Sequence, residues 1–494
     1  MLQKVVRSTI IDAPIERVWA VLRDFNSHDQ WHTVVEESRI EGRDRSDQVG
    51  CVRSFTLKDG HRIREQLIAL SDADHVSTYC ILEATVPLQR YVATVTLKRV
   101  TDGDRTFWHW QSTFATPPGR ERELRDMVAT GVYEAGFENL RRHLEAGGDV
   151  AGGAAPTGGR VRSHGPSMPS RRVVVSAYGG PEVLRGDEGE APAPGPGEVR
   201  IRQRAIGVNY FDIYLRRGWM PGLLPLGGQG AVLGMEAAGT VVDLGPDTTG
   251  LLTGDRVAYL GPQPGAYCSV RTVPASWVVR LPAAIEDDVA AATFLKGLTA
   301  DMLIRDVGRV DVGTRLLVHA AAGGLGLLVC SWAASLGATV IGTVSTDVKA
   351  RVAREHGCRH VIVTPDYRFA DAVQRACGGA DVIVDGLGDA ARDENLAALA
   401  SRGHWISVGQ ASGMLQPLAP DALVSKSATF SRPVVFDYVA SQALLEMRAR
   451  RLWDALASGA CKAPPIERWS LDAAAQAHAR LESRATVGAL VLSS

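Results

Sequence analysis

The stretch of this chain best suited to chemistry is HAAAGGLG at 319–326, set between an apolar run at 315–319 and an apolar helical pattern at 324–336. Against the pattern GxGxxG, the three glycine positions fall on Ala321, Gly323 and Gly326, with alanine in the first. Gly323 and Gly324 let backbone approach a pyrophosphate, and Gly326 lets the following helix close on the strand. Ala322 and Leu325 complete the turn, and the helix start supplies N–H donors and partial positive charge to phosphates. A tight turn without a ligand is the competing reading. The strand before, the helix after and a second strand at 339–343 favour a dinucleotide site.

The second strand bears on which dinucleotide. A carboxylate about 20 residues past the glycines would bind a ribose 2′-hydroxyl. Here Thr343, Val344, Ser345 and Thr346 are followed by Asp347 and Lys349. Ser345, Thr346 and Lys349 offer the donors and charge that a 2′-phosphate needs, so NADPH is the expected cofactor. Asp347 opposes this and reads as a first-turn acid facing the helix dipole. Taken alone, Ser345 and Lys349 also read as an N-cap and a solvated lysine.

The elements that position these residues alternate. Strand-like runs at 315–319, 339–343, 361–363, 382–385 and 405–408 are separated by helical patterns such as 324–336 and 348–356. That alternation predicts a doubly wound parallel sheet. Short β-like runs broken by Gly and Pro fill 171–290. Residues 146–170, rich in Gly, Ala, Pro and Ser, read as a flexible linker.

Ahead of the linker, 1–145 reads as strand, helix, several strands and a long helix. Pro14 opens the first helix, with Val18, Trp19, Val21, Leu22 and Phe25 on one face. Strands are expected at 4–11, 61–70, 91–100 and 106–114, and one helix at 120–144. Trp108, Trp110 and Phe114 share a strand face, as core or as the wall of a pocket for a flat hydrophobic ligand. His109, Arg62 and Arg64 read as groups orienting such a ligand, or as solvated strand residues.

The 494 residues are 45% apolar and 22% charged, with 54 basic and 55 acidic side chains. Such balance argues against recruitment of nucleic acid or an anionic membrane. No run reaches the ~18 apolar residues of a membrane span, and the start lacks the apolar core of a signal peptide. The seven cysteines are scattered without a CxxC pair, which points to a reducing cytoplasm and away from a structural zinc site.

Several segments together resemble the quinone oxidoreductases of the medium-chain dehydrogenase/reductase superfamily, including zeta-crystallin-like members. They are GPEVL at 180–184, AIGVNYFDIY at 205–214, GMEAAG at 234–239, GDRVAY at 254–259, FLKGLT at 294–299, HAAAGGLG at 319–326 and ESRAT at 482–486. The resemblance implies a GroES-like catalytic domain over 171–295 and 433–494. It implies a Rossmann NADPH-binding domain over 296–432, and a homodimer. It adds Arg484 to the 2′-phosphate contacts and places Gly409 along the nicotinamide. Asn209, Asp212 and Thr299 join the cofactor-binding set, and Asn209 and Tyr214 are the catalytic candidates. Asp212 and Lys296 also read as a cap or a buried ion pair.

Zinc relatives carry a cysteine near Asn209 and a histidine where this chain has Met235, so no metal is expected. A cleft tyrosine of many members is replaced within Gly218, Trp219, Met220 and Pro221. Another is missing after the third nucleotide-domain strand, with Tyr367 offset from its place.

Residues 1–145 resemble, more loosely, the polyketide cyclase/START-like helix-grip fold, an α+β domain with an apolar cavity. Three functions follow. The first is an NADPH:quinone oxidoreductase with an attached hydrophobic-ligand-binding domain. The second is an enone or enoyl reductase of natural-product assembly whose first domain binds or cyclises the intermediate. The third is a ligand carrier with a vestigial reductase. Intact Gly323, Gly326, Lys349 and Arg484 disfavour the third.

Overall fold

The computed structural model describes residues 2–42, 45–72, 75–100, 103–146, 166–226, 230–246 and 248–494. The chain forms two compact units, one within 1–159 and one within 160–494. Most of the expected linker, 147–165, lies outside the described residues. Its far end is corrected: Met168, Pro169 and Ser170 already belong to the strand Met168–Val175, which pairs with Leu184–Ala191.

The first unit is a seven-stranded antiparallel sheet. Its order is Leu2–Ile11, Arg105–Ala115, Gln89–Val100, Val76–Ala84, Arg62–Ser71, Val52–Leu57 and Val35–Ile40. Period-two alternation sends Trp108, Trp110 and Phe114 inward, where all three are buried. Trp110 stacks on Tyr133 at 4.3 Å, and Phe137 meets Trp108 edge-on at 4.8 Å. These aromatics are packed core.

The expected single helix over 120–144 is three segments. A π-helical stretch, Met127–Glu134, separates Glu121–Asp126 from Ala135–Glu145. The wider turn rotates the buried face, so Tyr133 is fully buried while Val132 is only partly so. Of the two readings of His109, Arg62 and Arg64, the solvated strand residue is the one the structure fits. His109 alternates with the buried tryptophans and so lies on the opposite sheet face, Arg62 is exposed, and Arg64 pairs with Glu41 at 2.7 Å.

The second unit contains a seven-stranded sheet in which the final strand, Ala489–Ser493, pairs with Glu198–Val208. The chain end is thereby woven back beside the start of this unit. A six-stranded parallel sheet follows the order His360–Val363, Thr339–Val344, Arg315–Val318, Ala380–Asp385, Leu399–Ser407 and Thr429–Ser431. In chain order that is 3-2-1-4-5-6, the doubly wound arrangement.

The domain boundary expected between 295 and 296 is corrected, because it would cut the helix Asp287–Asp301. That helix is continuous and packs against both the strand Glu198–Val208 and the helix Gly324–Ser335. Phe294 of this helix stacks on Trp453 at 5.5 Å. Among the described residues no helix is long and apolar enough to cross a membrane.

Candidate functional site

The strand order reverses between Arg315–Val318 and Ala380–Asp385, and crevices at such reversals, outside the strand C-termini, bind ligands. The glycine turn leaves the first of these strands. Gly323 is extended (φ −83°, ψ 168°) and precedes the helix Gly324–Ser335. A β-carbon at Gly326 would lie 2.4 Å from the Ala320 carbonyl oxygen, which is why glycine closes helix on strand there. The left-handed residue of the turn is Ala320, with φ 48°, one position before the alanine that replaces the first glycine. Such a backbone costs about 1–2 kcal/mol for a residue with a Cβ. Ala321 donates its N–H to the Thr343 carbonyl at 3.1 Å. The Ala322 carbonyl accepts the Gly488 N–H at 2.8 Å. Leu325 is half-buried against the core.

At the next strand end, Ser345 and Thr346 are exposed. Thr346, not Ser345, caps the helix Asp347–Glu355, accepting the Lys349 N–H at 3.4 Å. Asp347 is the exposed first-turn acid. Lys349 is half-buried and its ammonium donates to the Arg484 carbonyl at 2.5 Å. Burial, then the charges of Arg480 and Arg484, depress the Lys349 pKa. Arg484 donates to the Tyr367 hydroxyl and to the Ala411 carbonyl at 3.1 Å. Tyr367 is offset in sequence, yet its hydroxyl reaches the arginine that the family pattern assigns to phosphate. Tyr367 and Arg484 are both left-handed, with φ 61° and 56°. Two strained backbones converge on one small cationic site.

The opposite wall is the helix Tyr210–Arg216. Asp212 accepts the Asn209 N–H at 2.8 Å, the N3 half of a capping box. The Asn209 amide donates to Glu236 at 2.9 Å. Glu236 is fully buried and also takes the Leu295 N–H at 2.6 Å and the Lys296 ammonium at 3.3 Å. Asp212 is corrected as a cofactor contact: its side chain is fully buried, and its oxygen serves the cap and the Tyr267 hydroxyl at 3.2 Å. Burial pushes its pKa up to about 7.

Tyr214 accepts the Gln410 N–H at 2.8 Å and stacks on Trp219, with centroids 5.1 Å apart. Burial pushes its phenol up to about 12. Gly409 donates its N–H to the Asp385 carbonyl at 3.2 Å. Thr299 is half-buried, and its hydroxyl turns back to the Leu295 carbonyl at 2.7 Å. Arg432, absent from the sequence reading, donates to the Gln410 side chain at 2.9 Å. Its one sequence signal is its place just past a parallel strand end, where ligands bind. Met235 is fully buried in the core. Among the described residues no group of three or more His, Cys, Asp or Glu is placed to hold a metal ion.

Comparison with known proteins gives three family matches. Residues 3–145 match polyketide cyclase / dehydrase and lipid transport, 195–283 match the alcohol dehydrogenase GroES-like domain, and 324–449 match zinc-binding dehydrogenase. A quinone oxidoreductase of Pseudomonas aeruginosa is 38% identical over 329 residues, covering 65% of this chain and 99% of that protein. The chain belongs to the quinone oxidoreductase family. A 2-haloacrylate reductase of a Burkholderia species is 38% identical over 326 residues, covering 65% of this chain and 98% of the relative. The Escherichia coli quinone oxidoreductase complexed with NADPH superposes with a TM-score of 0.63 at 36% identity, over 66% of this chain and all of that one. This quinone oxidoreductase-family chain is therefore a fusion, with a cyclase-like domain ahead of the GroES-like and Rossmann-type domains.

Proposed function

We propose that the chain is an NADPH-dependent reductase that passes hydride to a quinone without a metal. The observation carrying this reading is the cationic site at the end of the second parallel strand. Lys349 and Arg484 hydrogen-bond only neutral groups there among the described residues, namely a carbonyl of Arg484, the Tyr367 hydroxyl and the Ala411 carbonyl. Two positive charges left without a carboxylate partner suit an anion such as a ribose 2′-phosphate. The relative solved with NADPH supports the same choice.

The protein's own groups divide the work. The Gly323 N–H donates to the Ala320 carbonyl at 2.8 Å, so backbone N–H groups from Gly324 onward at the helix start would hold the pyrophosphate. Ser345, Thr346, Lys349 and Arg484 hold the 2′-phosphate. Asn209, fixed by Glu236, and Gly409 frame the nicotinamide. Bound there, NADPH supplies the hydride. Tyr214 remains a neutral hydroxyl at working pH. Its oxygen already accepts Gln410, which leaves its proton to orient an acceptor oxygen, and water completes protonation of the product. A quinone is electrophilic enough to need no Lewis acid, which fits the Asn209 and Met235 positions.

A second reading is reduction of a conjugated enone. Met220 stands where many relatives have tyrosine, with Trp219 beside it, and one 38% identical relative is a 2-haloacrylate reductase. The first domain would then bind or cyclise the same intermediate, with the tether raising its local concentration. Seven free cysteines suit a reducing cytoplasm, and the family resemblance carries the expectation of a homodimer.

The test is NADPH oxidation by the whole chain against matched panels of quinones and enones. Quinone turnover in excess supports the first reading. Turnover of enones alone replaces it with the second, and tight NADPH binding without turnover of either supports the carrier. Trp219→Ala should raise the acceptor KM about tenfold or more, the loss of one aromatic contact surface, and leave NADPH binding unchanged.

A further inference from the structure

The two walls of the cleft are tied together behind it. The helix Ala474–Glu482 ends two residues before Arg484, and it is tied to the helix Tyr210–Arg216 on two sides. On the outer side, Tyr210 donates its hydroxyl to the Leu481 carbonyl at 3.2 Å. Arg216 holds Glu482 with both carboxylate oxygens, at 2.9 and 2.8 Å, and Arg217 adds a contact at 2.6 Å.

On the inner side runs a chain of fully buried groups. Arg216 meets His478 Nδ1 at 3.1 Å, His478 Nε2 meets the Tyr267 hydroxyl at 2.9 Å, and Tyr267 reaches Asp212 at 3.2 Å. Its polarity is fixed by chemistry. A guanidinium only donates, so Nδ1 accepts and the ring proton of neutral His478 sits on Nε2. That proton goes to the Tyr267 oxygen, and the Tyr267 proton goes to Asp212. The other Asp212 oxygen has no hydrogen-bond partner. The oxygen that caps Asn209 is therefore the same one that Tyr267 orients.

We propose that His478 and Tyr267 are positioning residues that hold the Asn209 cap in register with the Arg484 segment. Through them the nicotinamide end and the phosphate end of the cleft form one mechanical unit. The functional half of this inference rests on the NADPH reading above; the structural half does not. A purely local role would confine any disturbance to the neighbourhood of the altered side chain. The relay transmits it to both walls, because His478 and Tyr267 each accept once and donate once along it, between Arg216 at one end and Asp212 at the other.

The test is hydrogen exchange of the full chain carrying Tyr267→Phe, which deletes one hydroxyl and keeps the ring. Amide exchange in segments 209–217 and 478–486 should accelerate together, by roughly five- to tenfold, the size of one lost buried hydrogen bond. The N-terminal unit should not change. NADPH-over-NADH preference should fall by a similar factor. Acceleration in only one segment, or in neither, overturns the proposal. Should Tyr267→Phe fail to fold, Glu482→Gln loosens Arg216 from the other end, and an unchanged 209–217 segment in that variant overturns it equally. Equal binding of NADPH and NADH by the unaltered chain would instead contradict the phosphate-site reading and leave the exchange test in force.

Discussion

The phenolic oxygen of Tyr214 accepts the backbone N–H of Gln410 at 2.8 Å, which joins the helix Tyr210–Arg216 to the loop after the strand Leu399–Ser407. Tyr214→Phe leaves that buried N–H unpaired, at a cost of about 1–3 kcal/mol. The cofactor KM should rise and kcat/KM fall by about tenfold or more. Steady-state kinetics at saturating acceptor checks this. Unchanged constants would mean that the contact holds nothing the reaction uses.

Gly326 is a packing requirement. An alanine there would place its Cβ 2.4 Å from one backbone oxygen and 2.9 Å from the Ala321 Cα, and backbone cannot swing aside as a flexible side chain can. Gly326→Ala should cost about 1–3 kcal/mol through overpacking and abolish dinucleotide binding. Urea unfolding and NADPH titration measure the two effects. A stable variant with undiminished binding would contradict the proposed role of the turn.

Buried titrating groups in the second unit act in opposite directions with pH. His478 is pushed from 6.5 down to about 3, by burial and then by Arg216. Its contribution is present above about 6.5 and is lost as pH falls toward 3. Asp212 is raised from 3.8 to about 7, so the folded state holds a proton that the unfolded state releases. Its contribution is fully present below 3.8 and is lost as pH rises through 7. Between pH 4 and 6.5 the two slopes offset, each about 1.4 kcal/mol per pH unit. Asp212→Asn should therefore make stability fall more steeply on acidification, by about that slope relative to the unaltered chain. Parallel pH profiles of unfolding free energy would contradict the assignment.

Much of this site was legible because its signals are local. A strand running into glycines and then a helix specifies the turn, and Asn209 followed three residues later by Asp212 is the spacing of a capping box. Period two already puts His109 on the face away from Trp108 and Trp110, so a pocket role for His109 conflicted with the pattern itself. What was not legible is what distant segments bring. Arg484 and Tyr367 are 117 residues apart, and no spacing rule joins them. Arg432 meets Gln410 only because two strand ends lie side by side in the parallel sheet, and His478 meets Arg216 and Tyr267 only across 262 and 211 residues of chain. The π-helical stretch Met127–Glu134 has no composition signal, because its face shift follows from packing Tyr133 on Trp110.

The central claim is that the Lys349 and Arg484 site reads a 2′-phosphate. It is tested most directly by titrating NADPH and NADH into the whole chain and comparing their dissociation constants. The account predicts NADPH bound at least about tenfold more tightly, the worth of one charge-assisted contact, with the gap narrowed in Lys349→Ala. Equal affinities in the unaltered protein would contradict it.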